Sequence, residues 1–415
     1  MEIITLENGL RILLEPRQEL RSATVGVWVA SGSREENGEN NGISHFIEHI
    51  VFKGSKKRNA FEIAEGMDSI GASVNAYTTK EYTFFYTRAL DYHIEEAADI
   101  LFDMITRPRL DEKDIETEKG VILEEIAMCE DDPSDVCYEK NESAVFAGSS
   151  LALEILGTAK SVSEMKRSDF VSHLERFYVP ERIVIGICGK FDREKLLGKV
   201  REYFSPFRNT GNTPTEKAAA FNQTMTLVKR KFEQTHLMLS FPGIPIDHSD
   251  LYPLQLCTFI LGTGSSSRLN QRLREQLGLV YSVDTWLCRY LGSGYIGCSM
   301  GLSAGNQKRA LEEMCGEIRR FPESVTEREL SVAKERLVSS LLMSREQPGL
   351  SPSGCNLLLL SKTVDDDEII SKIRAVTLDG LGATGVKYFN LEKAAFTAVG
   401  RIEKREVYES IISGA

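Results

Sequence analysis

Two stretches far apart in this 415-residue chain carry one pattern, and that repeat narrows the folds open to it. RFYVPERIVIGICGKFD (176–192) runs from a helix-like end through an aromatic pair into an apolar strand and a Gly-basic turn. KYFNLEKAAFTAVGRIE (387–403) does the same, with Phe177 and Gly189 facing Tyr388 and Gly400 at an offset of 211. Upstream, EEIAMCEDDP faces SSLLMSREQP at an offset of 215, setting Met128 and Pro133 against Met343 and Pro348. IVFKGSKKR faces FILGTGSSSR at an offset of 210, setting Gly54 against Gly264. Three matches in one order, drifting by a few residues as loop insertions would make them, imply a duplicated domain. The polar segment RNTGNTPTEKAAAF (208–221) reads as a linker. The expected organisation is therefore an N-terminal domain at 1–208, a linker at 209–221 and a homologous C-terminal domain at 222–415.

Within the first half, Asn8-Gly9 between β-rich runs signals a hairpin turn, and ATVGVWVASGS reads as a strand. ASVNAYTTKEYTFFYTRAL reads as two strands joined by a short turn. AFEIAEGMDSIG, YHIEEAADILFDMIT and DEKDIETEKGVILEEIAMCEDDP carry apolar residues three and four apart and read as helices. Hairpin strands beside segregated helices predict an α+β fold, two homologous domains each with an antiparallel-rich sheet packed on helices.

The net charge of −11 excludes nucleic acid as the expected partner, because phosphate contacts need clustered Lys and Arg, and it is compatible with basic peptides. Eight scattered cysteines form no CxxC pair and are expected to be reduced, as in a cytosolic protein. The opening MEIITLENGLRILLEP lacks the basic start and apolar core of a signal peptide, and no run of about 18 apolar residues occurs. The expectation is a cytoplasmic protein with no membrane partner.

The chemistry concentrates in GISHFIEHIVFKG (42–54). Residues four apart share a helix face, so His45 and His49 can present two imidazoles to one ion, half of a tetrahedral zinc shell. Glu48 lies on the flank of that face, placed to take a proton from an attacking water. Ser44 is the expected N-cap. A third ligand must come from elsewhere, and ETEKGVILEEIAMCEDDP offers Glu118 and Glu125, two turns apart on one face, and Glu124 on another. Spacing does not choose among the three.

HFIEH followed by 75 residues and the glutamate that closes ETEKGVILEE resembles the pitrilysin and mitochondrial processing peptidase family of zinc peptidases, as do the flanking FKG, NAYT and EDDP. The resemblance covers nearly the whole chain and is to a short, bacterial-type, single-half member. It implies one Zn2+ per chain held by His45, His49 and Glu125, Glu48 as general base for a zinc-bound water, and Glu118 orienting a ligand histidine. It further implies that Arg274 and Tyr281 of SSRLNQRLREQLGLVYSV contact the substrate backbone and complete the catalytic chamber. The strand containing SVNAYTT would hold extended peptide by edge pairing, with Asn75 and Ala76 against the substrate. At the duplication offsets His45, Glu48 and His49 face Gln255, Thr258 and Phe259, and Glu125 faces Ser340, so the second half lacks every ligand.

The function expected is zinc-dependent endopeptidase action on unfolded peptides in an enclosed chamber. The alternatives are a non-catalytic scaffold subunit of the same family or a protease dedicated to one peptide precursor. Since the family encloses its substrate between two such halves, the resemblance implies a homodimer, with a heterodimer or a monomer as alternatives.

Overall fold

The Asn8-Gly9 turn closes a hairpin in which β1 (Glu2–Thr5) runs antiparallel to β2 (Arg11–Pro16), and Gly9 takes the φ of +90° that such a turn demands. This computed structural model describes residues 1–215, 218–346, 352–363 and 365–414. Two linker positions, 216 and 217, and Pro348 of the second repeat match lie outside the described residues. The first half continues through β3 (Ser22–Val29), α1 (Ile43–Ile50), α2 (Ala60–Ser69), β4 (Ser73–Thr78), β5 (Thr83–Leu90), α3 (Ile94–Thr106) and α4 (Glu112–Asp131). It ends with α5 (Pro133–Val145), α6 (Ala159–Glu164), α7 (Arg167–Phe177), β6 (Ile183–Gly189) and α8 (Arg193–Phe204). The second half holds β7 (Met225–Lys229), β8 (Gln234–Pro242), α9 (Leu251–Leu261), β9 (Val280–Tyr290), β10 (Ser293–Ser303), α10 (Gln307–Ser324) and α11 (Glu327–Glu346). It closes with α12 (Pro352–Leu360), α13 (Asp366–Ala375), α14 (Leu378–Tyr388), β11 (Ala395–Gly400) and α15 (Arg405–Ser413).

The sheets run β1-β2-β6-β3-β5-β4 and β7-β11-β8-β10-β9. Without β1 they correspond strand for strand. The first pair of each, β2 with β6 and β7 with β11, is parallel, and every other pairing is antiparallel. The α+β class with two homologous sheet-and-helix domains is the architecture observed. The offset of 215 is visible as α4 and α11, each of 20 residues, and Gly189 and Gly400 end β6 and β11 at φ of +116° and +122°.

The central strands are apolar on both faces, and each face meets a different core. Val25, Val27, Phe85 and Ile185 pack with α1, α3 and their neighbours, while Trp28, Phe84 and Val184 face Leu357 and Leu358 of α12. In the second sheet, Leu237, Leu239 and Phe396 face one way and Met238, Ala395 and Val399 face Val136 and Cys137 of α5. The two compact units are accordingly discontinuous in sequence. One comprises 1–126, 153–215 and 343–364, and the other 127–152, 216–342 and 365–415, each taking one helix from the opposite half. None of the eight cysteines, all of them among the described residues, forms a disulfide, and among the described residues no helix is long and apolar enough to cross a membrane.

Candidate metal centre

Helix α1 has eight residues, too few to hold its shape in water unaided. Its start is fixed by the Glu36 carboxylate, which accepts from the Gly42 amide at 2.7 Å, the Ser44 amide at 2.8 Å and Asn41 Nδ2 at 3.0 Å. Gly42 occupies the N-cap position at φ +94° with no side-chain cap, and a Cβ there would lie 2.5 Å from the Leu156 carbonyl oxygen. Ser44 is therefore not the N-cap that its position suggested: it lies inside the helix, its hydroxyl 3.3 Å from that of Ser31, because Glu36 has taken the free amides.

From this anchored helix His45 and His49 turn their rings to the same side, centroids 4.6 Å apart. The His45 and His49 Nε2 atoms stand 3.7 and 3.6 Å from Glu125 Oε2 on α4, and the three ligand atoms lie within 4.8 Å of one another. A tetrahedral zinc with arms of about 2.1 Å has ligand–ligand edges of about 3.4 Å, so the donor set fits the ion in type and spacing. Burial, with the neighbouring His49 charge, lowers the His45 pKa to about 3 and keeps that imidazole in the neutral form a metal needs. Glu118, buried on the same face of α4, accepts from His49 Nδ1 at 2.9 Å, leaving the Nε2 lone pair for the metal side. Lys53 Nζ lies 2.8 Å from the other Glu118 oxygen. Burial alone would raise the Glu118 pKa, but the bonds to His49 and Lys53 hold it below the usual carboxylate range. Glu124 points away and is exposed.

Glu48 projects from the flank of α1, where its Oε2 accepts from Thr78 Oγ1 at 2.6 Å. Burial raises its pKa against the pull of Thr78 and His49, with the Glu125 charge adding to the rise. Thr78 ends β4, an edge strand paired only with β5 among the described residues. Asn75 and Ala76 lie in its middle, and Asn75 Oδ1 accepts from the Ala76 amide at 2.8 Å. Arg274 and Tyr281 belong to the other unit: Arg274 is exposed on the π-helical turn Asn270–Gln276, and Tyr281, 60 % exposed, is on the sheet-edge strand β9. At the positions that the repeat sets opposite His45, Glu48 and His49, α9 carries Gln255, Thr258 and Phe259. Thr258 Oγ1 donates to the Gln255 carbonyl at 2.8 Å, and the Arg336 guanidinium lies 5.3 Å from the Phe259 ring centroid. Glu36, Lys53 and Thr78 were not singled out in the sequence. Each acts across a loop or between elements, and no periodicity marks such a partner.

Comparison with known proteins places these observations. Residues 11–159 match the family described as insulinase (peptidase family M16), and residues 164–337 match the one described as peptidase M16 inactive domain. The chain is 36% identical over 396 residues to the uncharacterized zinc protease YmxG of Bacillus subtilis, covering 94% of this chain and 96% of the relative. It superposes with a TM-score of 0.88 at 18% identity on a crystal structure titled as a peptidase M16 inactive domain from Pseudomonas fluorescens, covering 97% of this chain and 98% of that one. A protease from Helicobacter pylori superposes with a TM-score of 0.88 at 17% identity, over 96% of this chain and 99% of that one.

Behind α1 the buried His173 of α7 lies 2.7 Å from Ser31 Oγ, and burial, with Arg176 and Arg182, lowers its pKa to about 3. For His45 and His173 the unfolded chain binds more protons between about pH 6.5 and 3, so both add stability above that window and lose it as pH falls through it. His49 runs the other way. Burial opposes its charge, but Glu118 and the nearby carboxylates raise its pKa, so its contribution is full at low pH and lost as pH rises through the folded value. The metal-free protein is expected to lose about 1.4 kcal/mol per pH unit for each net proton taken up below pH 6.5. Denaturant titrations at stepped pH check this: His173→Gln should lower the slope by about one proton, and an unchanged slope would contradict the assignment.

Proposed function

The chain belongs to the M16 peptidase family and is a zinc-dependent peptidase, and from that premise we propose that it is an endopeptidase acting on unfolded peptides through His45, Glu48, His49 and Glu125. The observation that carries the reading is the meeting of the three ligand atoms beside a half-buried carboxylate tied to an edge strand.

His45, His49 and Glu125 would hold the zinc, and Glu118 would keep the His49 ring in its ligating tautomer. Zinc supplies Lewis acidity towards water and the scissile carbonyl. Glu48 takes the proton of the attacking water as the new C–O bond forms, then delivers it to the leaving amine nitrogen as the C–N bond breaks. Its bond to Thr78 fixes the carboxylate relative to β4. An extended peptide pairing with the open edge of β4 brings its carbonyl towards Glu48, with Asn75 and Ala76 against its backbone. Main-chain pairing accepts many sequences and rejects folded ones, and the chain charge of −11 favours basic peptides.

Arg274 would offer fixed donors to a substrate carbonyl or carboxylate and Tyr281 a hydroxyl near the developing oxyanion, and their exposure supports a role towards an incoming group. We take 1–208 and 222–415 as the duplicated halves joined at 209–221, only the first retaining ligands. A chamber then needs two chains, and a homodimer is the simplest assembly because this chain carries both the ligand set and the Arg/Tyr pair. The scaffold alternative is disfavoured by the intact ligand set.

Zinc content and hydrolysis of a quenched peptide library test the chemistry. Glu48→Gln should keep its zinc and lose at least about a hundredfold in activity, Glu125→Gln should release the metal, and Glu124→Gln should keep both. Unchanged turnover in Glu48→Gln would refute the mechanism. Light scattering with activity in parallel tests the assembly: specific activity should rise with the dimer fraction, and a fully active monomer would sink it.

A further inference from the structure

One turn touches both the start of the metal helix and the end of the edge strand that the proposed reaction would bring together. Ser33–Glu35 forms a single 3-10 turn after β3, and Glu36 follows directly. Glu36 accepts from two backbone amides at the start of the metal helix, those of Gly42 and Ser44, and from the Asn41 side chain. Two residues earlier, buried Arg34 pairs with Glu81, itself buried, in the tight turn that joins β4 to β5. The Arg34 amide also donates to the Lys80 carbonyl at 2.7 Å. Gly32 presses against the same turn so closely that a Cβ would lie 2.2 Å from the Thr79 carbonyl oxygen. Between Arg34 and Glu36, Glu35 accepts from Arg182 Nη2 at 2.7 Å, and Arg182 Nε donates to the Ala30 carbonyl at 2.9 Å, so the turn is bolted to the central strands.

Buried charges are costly to desolvate, and the stretch that buries Arg34 and Glu36, with Glu35 partly buried between them, is kept in place by partners on three different elements. The partners are the start of α1, the turn at the end of β4, and the entry to β6. Thr78, which hydrogen-bonds Glu48, immediately precedes the turn that Arg34 clamps.

We propose that Arg34 and Glu36 are positioning residues. Glu36 sets the height and rotation of α1, and so the convergence of His45 and His49. Arg34 sets the register of the β4 edge against that helix, and so the distance from a bound peptide to Glu48. This rests on the peptidase reading above. It goes further in dividing metal placement and substrate placement between two side chains of one turn.

The division predicts different losses. Glu36→Gln presents an amide nitrogen where two donors converge. It should weaken zinc at least about tenfold, as loss of a residue that orients ligands does, and lower kcat with KM held. Arg34→Met combined with Glu81→Met removes both charges together, which avoids stranding one of them. That variant should hold zinc within about twofold of wild type while KM, or the Kd for an uncleaved peptide in a Glu48→Gln background, rises about tenfold. Zinc affinity is read by chelator competition on protein whose circular dichroism is native. Should Glu36→Gln not fold, Asn41→Ala, which removes the side-chain link to Glu36, is read the same way with a smaller loss. Wild-type zinc affinity in folded Glu36→Gln, or a loss of zinc without a change in KM in the Arg34/Glu81 variant, would overturn the proposal. A wild-type protein that neither binds nor cuts peptide would remove the Arg34 half together with the reading beneath it, whereas the zinc measurement still decides Glu36.

Discussion

The hydrogen bond from His49 Nδ1 to Glu118, 2.9 Å long, joins two helices whose residues are 69 apart in sequence, and the ligand geometry depends on it. It fixes the tautomer of His49, and it sets α4 at the distance from α1 where Glu125, two turns on from Glu118, reaches both imidazoles. Lys53 holds the far oxygen of Glu118, so the carboxylate keeps its charge despite burial. A helix of eight residues could not keep two ligands aligned from its own hydrogen bonds, which is why the caps and buried pairs around α1 matter more than its propensity.

Each sheet is apolar on both faces and takes a helix from the opposite half, α12 on the first and α5 on the second. In the second half Gln255, Thr258 and Phe259 lie on α9, where Thr258 Oγ1 donates to the Gln255 carbonyl and the Arg336 guanidinium packs on the Phe259 ring.

Much of this was legible in the residues. The hairpin at Asn8-Gly9, the paired strands of ASVNAYTTKEYTFFYTRAL and the repeat offsets all rest on local periodicity, which survives folding. IVIGICG declares a strand buried on both faces, but an apolar face does not say which helix covers it, so the exchange of α5 and α12 was hidden. Ser44 misled because capping preference is a local rule, and Glu36 overrides it from eight residues upstream. Glu118, Glu124 and Glu125 were indistinguishable by spacing. Only the approach of α1 to α4 separates the residue that meets both histidines from the one behind His49 and the one facing solvent.

In the proposed site two imidazoles and one carboxylate of this chain hold a single zinc, and the chain also offers eight cysteines that form no disulfide. X-ray absorption at the zinc edge on protein loaded with one equivalent measures this without reference to activity. The expected spectrum shows a shell of nitrogen and oxygen at about 2.0–2.1 Å with the outer scattering of two imidazoles. A sulfur scatterer at about 2.3 Å, or a shell with no imidazole, would contradict it.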